Sequence, residues 1–254
     1  MNENLKYMLS KIQYGRIPNT KFLAVSDNLL ELLRREYPFV LPKKNVQTFK
    51  IEFKGAGMPE MLQEDDPVLT LLSAKKDWAI RITPEFIILH TKKYNCFADY
   101  VPRIKKILSV AQAELGISHF SFIGMRFVNK FEHNINLINE FGVARGEFLQ
   151  PPLLGYNRGG SNLSARYEDV EQKWSMNINS GIIINGPKIS PELAELSSDI
   201  LNPNELDLGP VAHLDIDAFY FLEDGMEEFD IDKILNKLEE LRSAANTVFK
   251  NIRY

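Results

Sequence analysis

Trp78-Ala79-Ile80-Arg81-Ile82-Thr83-Pro84-Glu85-Phe86-Ile87-Ile88-Leu89-His90-Thr91 is the stretch whose reading decides the fold. Two apolar runs, Trp78 to Thr83 and Phe86 to Thr91, flank Pro84. A proline fixes its own φ and has no N–H for a central ladder, so the stretch reads as a β-hairpin.

Working outward, Phe97, Val101, Ile104, Leu108, Ala111 and Leu115 recur at helical spacing and predict an amphipathic helix that Gly116 ends. Pro102 must sit in its first turn or kink it. Phe120 to Phe131 is apolar on both faces, which places a strand centrally in the sheet. On the N-terminal side, Phe49, Ile51 and Phe53 alternate with charged residues as in a half-buried strand, and 55–67 reads as a Gly- and Pro-containing loop. A short helix capped by Ser26 or Asp27 ends near Glu36, before Tyr37-Pro38.

Further strands are expected at about Leu163–Val170, Lys173–Ile184 and Val211–Leu222, and a short helical stretch at about Ile135–Phe141. Asp230 caps a final helix whose buried stripe runs Ile231, Ile234, Leu238, Leu241, Ala245, Val248, Ile252. The expected fold class is α+β: a largely antiparallel sheet with two long amphipathic helices packed on one face. The order strand, strand, helix occurs in 37–116 and again in 163–254. No linker composition separates these halves, so a single domain over 1–254 is expected.

The 254 residues are 44% hydrophobic and 25% charged, with 16 Phe, 9 Tyr and a net charge of −4. Such a chain has ample core and gives no bulk attraction to nucleic acid. One cysteine, Cys96, cannot form an intrachain disulfide, and no apolar run reaches the ~18 residues of a membrane span. A cytoplasmic protein without membrane contact is expected. Phosphate-loop, dinucleotide-binding, zinc-protease and serine-hydrolase motifs are all absent, so no cofactor and no familiar catalytic set are expected.

Three stretches together resemble a sporadically distributed family of uncharacterised bacterial proteins of about this length. They are the tryptophan-led hairpin running on to Tyr94, the strand Gly124-Met125-Arg126-Phe127-Val128-Asn129 in the form G-x-R-[FY]-[VI]-N, and the terminal helix from Leu241 to Ile252. The resemblance runs from about Tyr37 to the C-terminus. That family tends to carry His near the position of Arg242, and its usual opening strand is not evident in the first 25 residues or so. The patchy distribution implies an accessory role, such as a defence or toxin–antitoxin component, and names no catalytic residue.

Three constellations carry chemistry in the sequence. His213, Asp215 and Asp217 alternate and share one strand face, so they are candidate ligands of a divalent cation. The simpler reading of that face is solvated, with no metal. Arg126 stands among apolar neighbours and must find a carboxylate of a neighbouring strand or bind an anion. The segment 142–162 holds five glycines, Pro151-Pro152, Arg145, Tyr156 and Arg158, with Arg166 just beyond. Flexible backbone with arginines suits an anionic partner, protein or nucleic acid, and Tyr156 suits stacking. Asn129 reads as a strand end. The favoured function is a binding or regulatory protein that uses Arg145, Tyr156, Arg158 and Arg166. The alternatives are a metal-dependent hydrolase or nuclease built on His213, Asp215 and Asp217, and a small-ligand carrier with its pocket between sheet and helices.

Overall fold

The structure, a computed structural model, describes residues 4–42, 44–52, 60–132, 160–171, 173–202, 204–222 and 225–252. Its first element is a strand not expected from the sequence, β1 (Leu5–Tyr14). There follow α1 (Asn19–Leu33), β2 (Phe39–Val40), β3 (Lys44–Glu52), β4 (Glu60–Leu72), β5 (Trp78–Ile82), β6 (Phe86–Thr91) and α2 (Phe97–Leu115). The second half of the chain adds β7 (His119–Glu132), β8 (Ser161–Asp169), β9 (Trp174–Pro187), α3 (Pro191–Ser197), β10 (Leu206–Phe221), β11 (Glu227–Glu228) and α4 (Ile231–Ile252).

The class is α+β, and every strand pairing is antiparallel. The sheet order is β2-β4-β5-β6-β1-β7-β10-β9-β8, with β3 on β4 and β11 on β7. Its topology repeats. A first strand (β1, then β7) is followed by a three-strand meander (β4-β5-β6, then β8-β9-β10) and a helix (α2, then α4). The two first strands lie side by side at the centre, with Leu9 opposite Arg126 and Ile12 opposite Ile123.

Period-two geometry gives the sheet two different faces. Met8 and Ile12 of β1, Ile80 and Ile82 of β5, Met125 of β7 and Ile216 of β10 share one core with α1, α2 and α4. The helices contribute Phe22, Leu29 and Leu33, then Tyr100, Ile104, Leu108 and Leu115, then Ile234, Leu238 and Leu241, all buried. The opposite face carries a smaller core of Tyr7, Leu9, Ile88 and Val128 under Leu193 of α3 and Ile200.

The local signals explain most boundaries. Gly116 closes α2 in the left-handed conformation at φ 67°, which a Cβ would oppose. Asp230 Oδ1 accepts the backbone N–H of Lys233 at 3.0 Å and so caps α4. Pro102 lies in the second turn of α2. Strand β4 begins at Glu60, so 60–67 is paired with β3 and is not loop. Helix α1 starts at Asn19, seven residues before the expected cap, and Ser26 bonds Phe22 O from inside it at 2.8 Å. The expected helix at 135–141 lies outside the described residues, as does 142–159. No helix among the described residues is long and apolar enough to cross a membrane.

Candidate functional site

The motif strand β7 splits its residues between the two faces. Gly124, Arg126 and Val128 point to one, and Met125, Phe127 and Asn129 to the other. A Cβ on Gly124 would stand 2.8 Å from the Phe122 ring, so glycine lets that ring lie beside its own strand. There it stacks on Phe219 with centroids 5.8 Å apart.

Arg126 does find the carboxylate its surroundings demand. Its Nε and Nη2 donate to Asp215 Oδ1 and Oδ2 at 2.9 and 2.6 Å, and Nη2 also meets Glu192 of α3. Asp215 is 5% exposed, so the expected solvated face of β10 is in fact a covered one. The cover is an ion-pair lattice that ties α3 to the sheet. Lys130 joins it through Asp207 and Pro187 O. Arg81, Asp199, Glu195 and His90 extend it to β5 and β6.

This lattice changes what His213, Asp215 and Asp217 can do. They share a face, but successive same-face residues of a strand are about 6.6 Å apart, and Asp215 is turned onto Arg126. Lys130 faces His213 across the ladder. Burial and that cation push the imidazole down to about 4, and its Nδ1 has no partner among the described residues. Among the described residues no three His, Cys, Asp or Glu side chains gather as a metal-binding group.

Asp217 is half-buried and, unlike Asp215, is not hydrogen-bonded by Arg126. Burial lifts its carboxyl from 3.8 to about 6, with Arg126 opposing and Asp215 adding to the rise. A raised carboxyl makes folding take up a proton between those values, so ionised Asp217 costs stability above pH 6. Asp217→Asn is therefore expected to stabilise the fold by about 1–3 kcal/mol at pH 8. That gain shrinks as pH falls from 6 towards 4, where the wild-type carboxyl is protonated in both states. Urea unfolding across this range checks it.

Of the arginine segment, Arg145, Tyr156 and Arg158 lie outside the described residues. Arg166 belongs to β8 and is exposed. Its Nε donates to Glu168 Oε1 at 2.9 Å and its guanidinium lies 5.5 Å from the Phe219 ring. These contacts already engage it.

A cavity of about 240 Å³ opens on the other face, between the sheet and the helices. Leu5 of β1, Phe127 of β7 and Ile216 of β10 form its floor, and Ala245 and Phe249 of α4 form one wall. Asn95, Cys96 and Phe97, where α2 begins, form the other. The rings of Tyr94 and Phe127 meet edge to face at 6.1 Å, and Phe97 stacks on Tyr100 at 5.6 Å.

Tyr94, Asn95, Asn129, Arg242 and Asn246 bring polar side chains to this lining, and two of them have a buried polar atom without a partner among the described residues. Asn129, 2% exposed, lines the cavity from the middle of β7. Its Nδ2 donates to Leu214 O at 3.2 Å and more weakly to Phe127 O at 3.4 Å, while its buried Oδ1 has no partner among the described residues. Turning the amide over would set its oxygen against those two carbonyls, so the assignment is fixed by the backbone. The Tyr94 hydroxyl is likewise buried without a partner, and burial pushes it up to about 12, so it stays neutral. Arg242 completes the rim, its Nε on Glu239 Oε2 at 3.2 Å and its guanidinium 5.3 Å from the Phe97 ring.

Asn129 is thus no strand end. The strand runs on to Glu132, and the side chain is buried on the helix-covered face. A polar residue in phase with Met125 and Phe127 was the available signal. No known protein-family model and no curated protein sequence matches the chain.

Proposed function

We propose that this is a binding protein whose ligand is a small molecule held between the sheet and helices α2 and α4. The observation that carries this reading is a cavity of about 240 Å³ whose apolar floor is joined by Tyr94, Asn95, Asn129, Arg242 and Asn246, with the buried Oδ1 of Asn129 left without a partner among the described residues. An unsatisfied buried polar group costs about 1–3 kcal/mol, and more than nine in ten such groups find partners. An apolar lining with a few convergent polar groups is the ordinary make-up of a small-molecule site. The walls belong to α2 and α4, so occupancy would tie the two helices together, and this gives a regulatory role a physical basis.

The test is a ligand-observed NMR screen of small amphipathic molecules against the wild type and Ala245→Met. Ala245 lines the cavity and is 3% exposed, so a longer apolar side chain there fills the space. Hits are expected with the wild type and are expected to be lost in Ala245→Met, whose melting temperature stays within a few degrees. Hits that persist unchanged in the filled variant would place binding elsewhere.

A further inference from the structure

We infer that a second cavity, on the α3 side of the sheet, binds a small phosphate monoester: a dianionic phosphate on a compact apolar body. The site is additional to the one proposed above and shares only Leu5 with that cavity's lining.

This cavity is about 440 Å³, within the ~300–1,000 Å³ of most ligand clefts. Four separate stretches of chain each bring one lysine to it: Lys6 of β1, Lys92 just after β6, Lys130 near the end of β7 and Lys188 just after β9. Glu205 and Asp207 are the carboxylates of the lining. Four ammonium groups thus face two carboxylates, an excess of two positive charges. Gathering like charges around one space costs free energy, and a dianion entering that space offsets the cost. Three of the ammonium groups are anchored. Lys130, 3% exposed, donates to Pro187 O at 3.0 Å and pairs with Asp207. Lys188 pairs with Glu205 at 2.9 Å. Lys92 donates to Ile200 O at 2.7 Å, a main-chain carbonyl that satisfies a hydrogen bond without cancelling the charge. What the cavity offers is a positive field held in fixed positions.

The kind of anion follows from the kind of cation. No arginine stands among the described residues that line the cavity. Flat, two-point recognition of a carboxylate is the work of a guanidinium, whereas lysines act on phosphate as point charges from several directions. A phosphate monoester carries about 1.5 to 2 negative charges at pH 7, which matches the excess in the lining. Leu5, Ile189 and Leu201 give the cavity an apolar side, which suits a compact apolar body on the ester oxygen.

Calorimetric titration with phenyl phosphate, inorganic phosphate, phthalate and benzylamine tests the assignment. Phenyl phosphate is expected to bind tightest, inorganic phosphate more weakly for want of the apolar body, and benzylamine not at all. Lys92→Gln should weaken phenyl phosphate roughly tenfold, and Glu205→Gln should tighten it severalfold. Both side chains are exposed, so neither change threatens the fold. Opposite signs from a cation and an anion of one lining are the response of a charge-selective site and not of a structural contact. Added KCl should weaken binding. Ala245→Met, which fills the other cavity, should leave it unchanged, so the two sites fail separately. Phthalate binding tighter than phenyl phosphate would overturn the phosphate assignment in favour of a dicarboxylate. No binding of phenyl phosphate, binding that neither charge variant moves, or binding lost in Ala245→Met would overturn the site itself.

Discussion

Replacing Arg81 by Ala is expected to destabilise the fold by about 3–5 kcal/mol, because it strips the partner from a buried carboxylate. Arg81 is 4% exposed, and its Nε and Nη2 donate to the two oxygens of Asp199 at 2.6 and 2.9 Å. Its Nη1 reaches Glu195 Oε2 at 2.6 Å, and Nη2 also donates to Glu195 O at 3.1 Å. One strand residue thus holds the C-terminal turn of α3 and the residues after it. The Asp199 carboxylate, 2% exposed, would be left with His90 alone, whose Nε2 is 3.3 Å away. The other His90 nitrogen, Nδ1, is bonded to the Tyr7 hydroxyl at 2.8 Å. Burial holds Tyr7 well above its usual range, so the phenol donates to Nδ1 and the imidazole proton rests on Nε2, 3.3 Å from Asp199 Oδ2 but without hydrogen-bond geometry to it.

The same cluster sets a pH dependence. Burial lowers His90 below its usual 6.5 in the folded state. Asp199 is lowered below 3.8, burial opposing the stronger pull of His90 and Arg81. In both cases the unfolded chain binds more protons as pH falls, so stability is lost below about pH 6.5 and again below 3.8. Arg81→Ala should remove the Asp199 part of that loss, since an unpaired buried carboxyl takes up its proton early. The double change Arg81→Met, Asp199→Leu should recover most of the stability, because it removes both charges together. Equilibrium unfolding in urea at pH 7 and pH 5 measures all three.

The second large effect has the opposite sign. Asn129→Leu is expected to stabilise the empty protein by about 1 kcal/mol while costing at least a factor of ten in ligand affinity. The substitution keeps the side chain's shape and removes a buried acceptor without a partner. What it forfeits are two bonds of 3.2 and 3.4 Å to carbonyls in a β-ladder. A buried acceptor whose cost outweighs those two bonds, on the wall of a cavity, is the stability–function trade-off expected of a binding residue.

Where the pattern was local, the sequence was readable. The Trp78–Thr91 hairpin, the α2 stripe with Gly116 and the α4 stripe with Asp230 all depend on neighbours within a few turns. Strand β1 was missed because Ser10 and Lys11 interrupt its apolar run. What buries them comes from far along the chain: Tyr100 on Ser10 at 2.6 Å, and the rings of Phe86 and Phe122 beside Lys11. The echo noticed from residues 37 and 163 onward begins, in the topology, with β1 and β7. Helix α3 is seven residues long and is held by the ion pairs of Arg81 and Arg126, which no periodicity in its own sequence records.

The site divided in the same way. An internal ion pair for Arg126 could be argued from its apolar neighbours, and the partner proved to be Asp215 on the adjacent strand. That His213, Asp215 and Asp217 share a face was readable from their spacing. That Arg126 and Lys130 stand opposite them was not, because register across β7 and β10 is a non-local property. Asn129 belongs to the G-x-R-[FY]-[VI]-N stretch, yet its burial depends on α4, over a hundred residues away.

Asn129, with its buried Oδ1 unpartnered among the described residues, lines the cavity proposed to hold a ligand. The most direct measurement pairs thermal melts with calorimetric titration for wild type and Asn129→Leu, using one ligand found in the screen. The account predicts a higher melting temperature without ligand, a smaller rise on adding it, and affinity reduced tenfold or more. A variant that melts lower and binds the ligand as tightly as wild type would contradict it, for Asn129 would then be a structural residue and the ligand would lie elsewhere.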